Sequence, residues 1–249
     1  MARASALLLA AALVAAGCGG GEDFPERASV RTIGKGADMA WIFRPAGEPR
    51  SVVLYFHGQG GPVEATPTNH RPWIDHLVER GNVVIYPRYE LRVARNPMIH
   101  VVNGVRSASE ELGLDDEPVL AIGYSRGGAL ALEYAAVAPI EGLPAPDAIM
   151  SVFPASRGEV DTEIDFTPLD DETSVLFLLG EDDTVVRGDG ARILLRRLRE
   201  GAFPPERIDL RFVRSRGDFV ADHFAPLRTT PAARAAFWGP ADRLIDSIT

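Results

Sequence analysis

The chain has 249 residues, of which 46% are hydrophobic, and its formal net charge at pH 7 is −9. This length and composition are typical of a globular domain with a sizeable core, and the acidic balance argues against a protein that binds nucleic acid. Lys35 is the only lysine and the arginines are scattered, which excludes a basic binding arm. Cys18 is the only cysteine, so an intramolecular disulfide framework is excluded as well.

The N-terminal residues have the composition of an export signal. After Arg3, residues 6–17 form a run of 12 small or apolar residues, too short to span a bilayer but suited to the core of a signal peptide. The stretch ending in Cys18, LVAAGC, resembles a bacterial lipobox, with alanine where leucine is usual. The resemblance implies cleavage before Cys18, acylation of that residue and attachment to a membrane surface. The alternative is a plain signal peptide followed by a chance cysteine.

These observations predict three parts of the chain. They are a signal peptide at 1–17, a tether with an N-terminal extension at 18–38, and one folded domain at 39–249. Residues 19–26 are rich in glycine and acidic side chains, as in a short tether. Gly19 stands where proteobacterial lipoproteins retained in the inner membrane carry aspartate. We therefore expect an outer-membrane anchor in a two-membrane cell.

From about Met39, strand-like and helix-like segments alternate, which predicts an α/β fold with a mostly parallel sheet and helices on both faces. Seven apolar, β-branched segments are predicted as strands: 40–43, 51–56, 82–86, 119–123, 148–153, 175–179 and 208–213. Helical spacing and end signals predict five helices: one between Pro72 and Gly81, one over 101–112, one over 126–137 ended by Pro139, one capped by Asp189, and one over 240–248.

The segment Gly123-Tyr124-Ser125-Arg126-Gly127 lies between a predicted strand and a predicted helix. A nucleophilic serine on such a turn has a strained backbone, and small residues two positions before and after it avoid a clash. We therefore predict that Ser125 is a nucleophile. The alternative is a glycine-rich turn with an ordinary serine.

A serine hydroxyl needs a neighbouring base, because its alkoxide is not available near neutral pH. His223 follows the last predicted strand and is the best candidate. Three carboxylates, Glu181, Asp182 and Asp183, follow the preceding strand, and only one of them can orient the histidine. The remaining histidines have simpler explanations: His70, His76 and His100 lie near or on helices, and His57 more plausibly braces a loop.

A developing oxyanion needs backbone N–H donors. One donor is expected from Arg126, directly after the nucleophile. The second is expected from the glycine-rich loop His57-Gly58-Gln59-Gly60-Gly61, with Gln59 as the first choice and Gly60 as the second. The alternative is a purely structural glycine turn.

Together these segments resemble the α/β-hydrolase superfamily, in particular its compact dienelactone-hydrolase and secreted esterase branches. The resemblance rests on the loop at 57–60, the Ser125 turn, the acid loop and the His223 loop, and it covers the chain from about Ala40 onward. In that family the acid often occurs as Gly-x-x-Asp-x-x-Val, a spacing that Gly180, Asp183 and Val186 match. The resemblance therefore favours Asp183 over Asp182.

The resemblance implies a serine hydrolase that cleaves carboxylic esters, small or polymeric, through an acyl-enzyme and without a cofactor. Alternatives are a peptidase, thioesterase or lactone hydrolase with the same triad, or a non-catalytic scaffold that binds a ligand or an envelope partner. The acidic segment 154–173 is too short for a large lid and is expected to be a solvated loop, with a calcium site as the alternative. The sequence indicates neither a zinc site nor an oligomeric state.

Overall fold

A computed structural model describes residues 27–60, 65–89, 96–114, 116–155 and 165–249. The predicted signal peptide, Cys18 and most of the predicted tether lie outside these residues, as do 156–164 of the acidic segment. No helix within the described ranges is long and apolar enough to cross a membrane.

Eight strands form one sheet in the order β1-β2-β4-β3-β5-β6-β7-β8. The first two pairings, β1 with β2 and β2 with β4, are antiparallel, and the remaining pairings are parallel. This confirms the mostly parallel sheet predicted from the sequence, to which the structure adds β1. The strands are β1 (Ser29–Ile33), β2 (Ala40–Arg44), β3 (Ser51–Phe56), β4 (Asn82–Pro87), β5 (Val119–Tyr124), β6 (Ala148–Val152), β7 (Ser174–Gly180) and β8 (Ile208–Val213).

The helices cover both faces of the sheet. They are α1 (Arg71–Glu79), α2 (Pro97–Leu112), α3 (Arg126–Glu141), α4 (Asp189–Glu200), α5 (Pro231–Ala233) and α6 (Gly239–Ile248), with a π-helical segment at Arg234–Trp238. One hydrophobic cluster lies under α2, α3 and α4, and a second lies under α1 and α6. Because helices bury both faces, all residues of β3, β4 and β5 are buried, as the continuous apolar runs predicted.

Two predicted helix ends were wrong. Pro139 does not end α3, which continues to Glu141 and ends where Gly142 adopts a left-handed φ of 62°. A proline in the last turn loses only its own N–H bond, and the N–H groups of Gly142 and Leu143 bond to the carbonyls of Pro139 and Ala138. Asp189 does not cap α4: it is the first helical residue, Gly188 precedes it, and its side chain pairs with Arg192.

The link between β6 and β7 shows no large lid in its described residues, 153–155 and 165–173. In its described second half, Phe166 and Leu169 are buried while Asp170, Asp171 and Glu172 are exposed to solvent. No group of three potential metal-ligating side chains occurs in the part of the chain that the structure describes. The exposure of these three carboxylates agrees with the prediction of a solvated loop for this half of the segment.

Candidate active site

Ser125 stands at the turn between β5 and α3, at the carboxyl end of the central strands. Its backbone has φ 54° and ψ −121°, a conformation that costs on the order of 1–3 kcal/mol for a residue with a side chain. The turn is held by its neighbours, since the Ser125 N–H donates to Val152 and its carbonyl accepts from Gly128 and Ala155. Strain fixed in this way is typical of a functional position.

Two glycines make this turn possible. A Cβ atom on Gly123 would lie 2.0 Å from the carbonyl oxygen of Gly127, and a Cβ on Gly127 would lie 2.1 Å from the carbonyl oxygen of Phe56. Both distances are far inside van der Waals contact with backbone atoms, so a side chain at either position would force the backbone to shift. The turn therefore favours glycine two positions before and after Ser125, in agreement with the small residues that the sequence pattern predicted.

His223 lies beside the serine. Its Nε2 atom is 3.0 Å from Ser125 Oγ, and both side chains are largely buried. The Tyr124 hydroxyl donates a hydrogen bond of 2.9 Å to the His223 carbonyl oxygen and so stabilises the backbone of the histidine. The imidazole is thus fixed at the distance over which it can accept the serine proton.

Asp183 lies behind the histidine. Its Oδ2 atom is 2.8 Å from His223 Nδ1, and its Oδ1 atom accepts hydrogen bonds from the N–H groups of Val185 and Val186. Burial on its own raises the pKa of Asp183, but the hydrogen bonds from His223 and the two amides, with the charge of His223, lower it below its ordinary value. A carboxylate that stays ionised can hold the Nδ1–H tautomer of the imidazole.

The two neighbouring acids are directed elsewhere. Glu181 is exposed and pairs with Arg214 at 2.8 Å, and this contact lowers the pKa of the glutamate. Asp182 is also exposed and accepts a hydrogen bond from the Ser215 hydroxyl. Of the three carboxylates only Asp183 contacts His223, which is the arrangement preferred from the Gly-x-x-Asp-x-x-Val spacing.

The loop after β3 borders the serine from the other side. Phe56 pairs in register with Gly123, so this loop and the Ser125 turn leave the sheet side by side. A Cβ on Gly58 would lie 3.2 Å from the Cβ of Ser125, which shows how closely the loop backbone approaches the serine. Gln59 and Gly60 follow directly, exposed and half-buried respectively. The choice of Gln59 before Gly60 as N–H donor stays a prediction.

His57 has the bracing contacts expected of it. Its ring nitrogens lie 2.7 Å from the carbonyl oxygen of Gly58 and 2.9 Å from that of Arg88. The ring also stacks on Tyr89 with centroids 4.1 Å apart, and the Tyr89 hydroxyl donates to the His57 carbonyl oxygen. These contacts tie the loop at 57–60 to the end of β4.

The other histidines do not contact Ser125. Nδ1 of His70 is 3.1 Å from the Tyr55 hydroxyl, and His76 bonds to Asp242. His100 is partly buried, and its Nδ1 atom lies 2.7 Å from Asp38 Oδ1.

A buried ion pair beside the serine was not predicted from the sequence. The Arg126 side chain is 4% exposed and binds both carboxylate oxygens of Glu133, which is 8% exposed, at 2.6 and 3.2 Å. The two residues are seven positions apart and therefore lie on one face of α3, two turns from each other. That spacing, in a helix otherwise apolar as far as Ile140, is the signal that could have revealed the pair.

Glu133→Gln should lower the free energy of unfolding by about 3 kcal/mol, because removing one partner leaves a buried charge uncompensated. The exposed pair of Arg106 and Glu141, at 2.8 Å, provides the matched control, and Glu141→Gln should cost less than about 1 kcal/mol. Urea unfolding followed by circular dichroism measures both. Equal costs for the two variants would contradict the prediction.

Comparisons with known proteins bear on the family and the fold of this chain. A family model described as alpha/beta hydrolase fold matches residues 53–177. Over 132 residues the chain is 32% identical to methylphloroacetophenone synthase of Cladonia uncialis, which covers 46% of this chain and 5% of that protein. The chain thus spans only 5% of the length of this relative.

Solved structures of esterases share the fold. Carboxyl esterase 2 of the mycorrhizal fungus Tuber melanosporum superposes with a TM-score of 0.66 at 19% identity, covering 92% of this chain and 88% of the esterase. A thermostable esterase of Pseudomonas putida has a TM-score of 0.64 at 21% identity, covering 90% of this chain and 83% of the other. At these sequence identities the superpositions show a shared fold and do not by themselves show a shared activity.

Proposed function

Because the chain belongs to the alpha/beta hydrolase fold family, we propose that it cleaves carboxylic esters through an acyl-enzyme formed on Ser125. The observation that carries the proposal is the hydrogen-bonded series from Ser125 Oγ to His223 Nε2, at 3.0 Å, and from His223 Nδ1 to Asp183, at 2.8 Å. A scaffold that only binds a ligand would need neither this series nor a strained serine. Both features favour an enzyme over a binding protein.

In the proposed mechanism, Ser125 Oγ attacks the ester carbonyl while His223 Nε2 takes its proton. The oxyanion that forms accepts hydrogen bonds from the N–H of Arg126 and from that of Gln59 or Gly60. His223 then gives the proton to the leaving alcohol, and an acyl group remains on Ser125. A water molecule, activated by the same histidine, hydrolyses the acyl-enzyme and restores the serine.

The esterase proposal can be tested directly with a fluorophosphonate probe and a series of p-nitrophenyl esters. The proposal expects the wild-type protein to be labelled at Ser125 and to release p-nitrophenol from at least one ester, with loss of both on Ser125→Ala. Labelling without hydrolysis of any ester would favour a peptidase or thioesterase with the same residues. Absence of labelling would favour a non-catalytic scaffold.

We further propose that Cys18 carries a lipid anchor that holds the domain on the extracytoplasmic face of a bacterial membrane. The lipobox resemblance of residues 13–18 supports this proposal. Cys18 itself lies outside the residues that the structure describes. Labelled palmitate fed to a bacterial host should appear on the wild-type protein and be absent from Cys18→Ser. Unlabelled wild-type protein released into the medium would contradict the anchor and leave the esterase proposal unaffected.

A further inference from the structure

Tyr124 connects the nucleophile turn to the segment that carries the histidine. It is the last residue of β5 and directly precedes Ser125. Its side chain is buried on the face of the sheet that α1 and α6 cover, where it belongs to the same hydrophobic cluster as Ile122. Its backbone is firmly placed, since Tyr124 pairs in register with Val152 of β6. A side chain on such a strand is a more precise support than one on a loop.

The histidine needs a support of this kind because it lies in a long connection. Residues 214–230 join β8 to α5, and connecting segments are usually more mobile than the elements that they join. The imidazole of His223 is fixed at its two nitrogen atoms by Ser125 and Asp183. The Tyr124 hydroxyl fixes the backbone of the same residue, through its hydrogen bond of 2.9 Å to the His223 carbonyl oxygen. The two rings also pack together, with centroids 5.3 Å apart.

Further contacts hold the Tyr124 ring in place. A Cβ atom on Gly58 would lie 3.2 Å from Cδ1 and Cε1 of the tyrosine, so the loop after β3 packs directly on the ring. The ring of His70 packs on it as well, with centroids 5.7 Å apart and an angle of 61° between the planes. His70 is itself buried, and its Nδ1 atom lies 3.1 Å from the Tyr55 hydroxyl. The change Tyr124→Phe should therefore keep the ring where it is and remove the hydroxyl alone.

We propose that Tyr124 is a positioning residue for His223, a role that rests on the esterase function proposed above. Its hydroxyl fixes the backbone of His223 and so keeps Nε2 at hydrogen-bond distance from Ser125 Oγ. The reaction depends on the placement of this nitrogen twice, because the histidine first takes the serine proton and later activates the water. A misplacement of about 1 Å can cost about 100-fold in rate.

Tyr124→Phe tests this role through the kinetics of ester hydrolysis. The variant should lower kcat for a p-nitrophenyl ester by about 10- to 100-fold. KM should stay within about twofold of wild type, since both chemical steps use the same histidine and slow together. The rate at which the fluorophosphonate probe labels Ser125 should fall as well, because the histidine also activates the serine toward the probe.

Tyr134→Phe is the matched control. Tyr134 is buried in α3, and its hydroxyl donates to the carbonyl oxygen of Pro144, also at 2.9 Å. Each variant loses one hydrogen bond from a buried tyrosine to a main-chain carbonyl, so both should lower the melting temperature by a similar amount, about 2–4 °C. Tyr134→Phe should nevertheless keep kcat within about twofold of wild type. If Tyr124 served stability alone, the two variants would have the same kinetics.

A second comparison uses the histidine itself. In the His223→Ala background, Tyr124→Phe should cause no further loss of the residual rate, because the residue through which it acts is gone. An equal loss with and without His223 would overturn the proposed role. So would a Tyr124→Phe protein that hydrolyses the ester as fast as Tyr134→Phe does.

The same experiment separates this role from the esterase function. Wild-type protein that is labelled and active, with both lost on Ser125→Ala, would leave the esterase function standing even if Tyr124→Phe retained full turnover. Wild-type protein that is neither labelled nor active would overturn the esterase function and the role of Tyr124 together.

Discussion

Ser125→Ala is expected to lower turnover on an ester substrate by about 10³- to 10⁶-fold. The variant has no hydroxyl for His223 to deprotonate, so no acyl-enzyme can form. The backbone donors near the serine remain, and they account for the residual rate over water. Alanine at φ 54° is about as strained as serine there, so folding should be retained and the melting temperature nearly unchanged.

The control for this loss is a serine-to-alanine change away from the site. Ser107 lies within α2 and is half-buried, and Ser107→Ala should keep turnover within about twofold of wild type. Active-site titration with the fluorophosphonate probe then counts the functional serine in each variant. An active, correctly folded Ser125→Ala protein would end the nucleophile proposal.

Much of the sheet could be predicted because its strands have a simple physical signature. The bounds of β3 and β8 agree with the predicted segments 51–56 and 208–213. The strand β1 was missed since Ser29–Ile33 is almost fully exposed and lacks an apolar run. It is a strand because β2 offers it an edge to pair with, and such tertiary context is absent from a local pattern.

The candidate site also contains one part that the sequence predicts and one part that it does not. The turn around Ser125 was predictable, because its glycines are required by backbone contacts that leave a fixed spacing in the sequence. The pair of Arg126 and Glu133 was not predicted, since charged side chains are rarely buried and residue type alone favours exposure. Its existence depends on how α3 packs against the rest of the domain.

Asp183→Asn should lower turnover by up to about 10⁴-fold, because Asp183 is the acid that contacts His223. Asparagine can keep the shape of the site, and its oxygen can still accept from the amides of Val185 and Val186. Its amide nitrogen, however, would face His223 Nδ1 and donate to it. The histidine would then carry its proton on Nε2, where it points at Ser125 and cannot accept the serine proton.

The neighbouring acids provide matched controls for this change. Asp182→Asn removes only an exposed contact with Ser215, and Glu181→Gln removes an exposed pair with Arg214. Exposed charges contribute little, so each of these variants should lose less than about tenfold in turnover. Thermal unfolding of all three variants separates a loss of catalysis from a loss of fold.

The pattern of the three effects decides where the acid lies. A severe loss of turnover in Asp182→Asn, with a mild loss in Asp183→Asn, would identify Asp182 as the acid. The hydrolase proposal would still hold. Mild effects from all three would mean that the hydrogen bond between Asp183 and His223, at 2.8 Å, does not serve catalysis. The expected result is a severe loss from Asp183→Asn alone, because of the three acids only Asp183 is buried against His223.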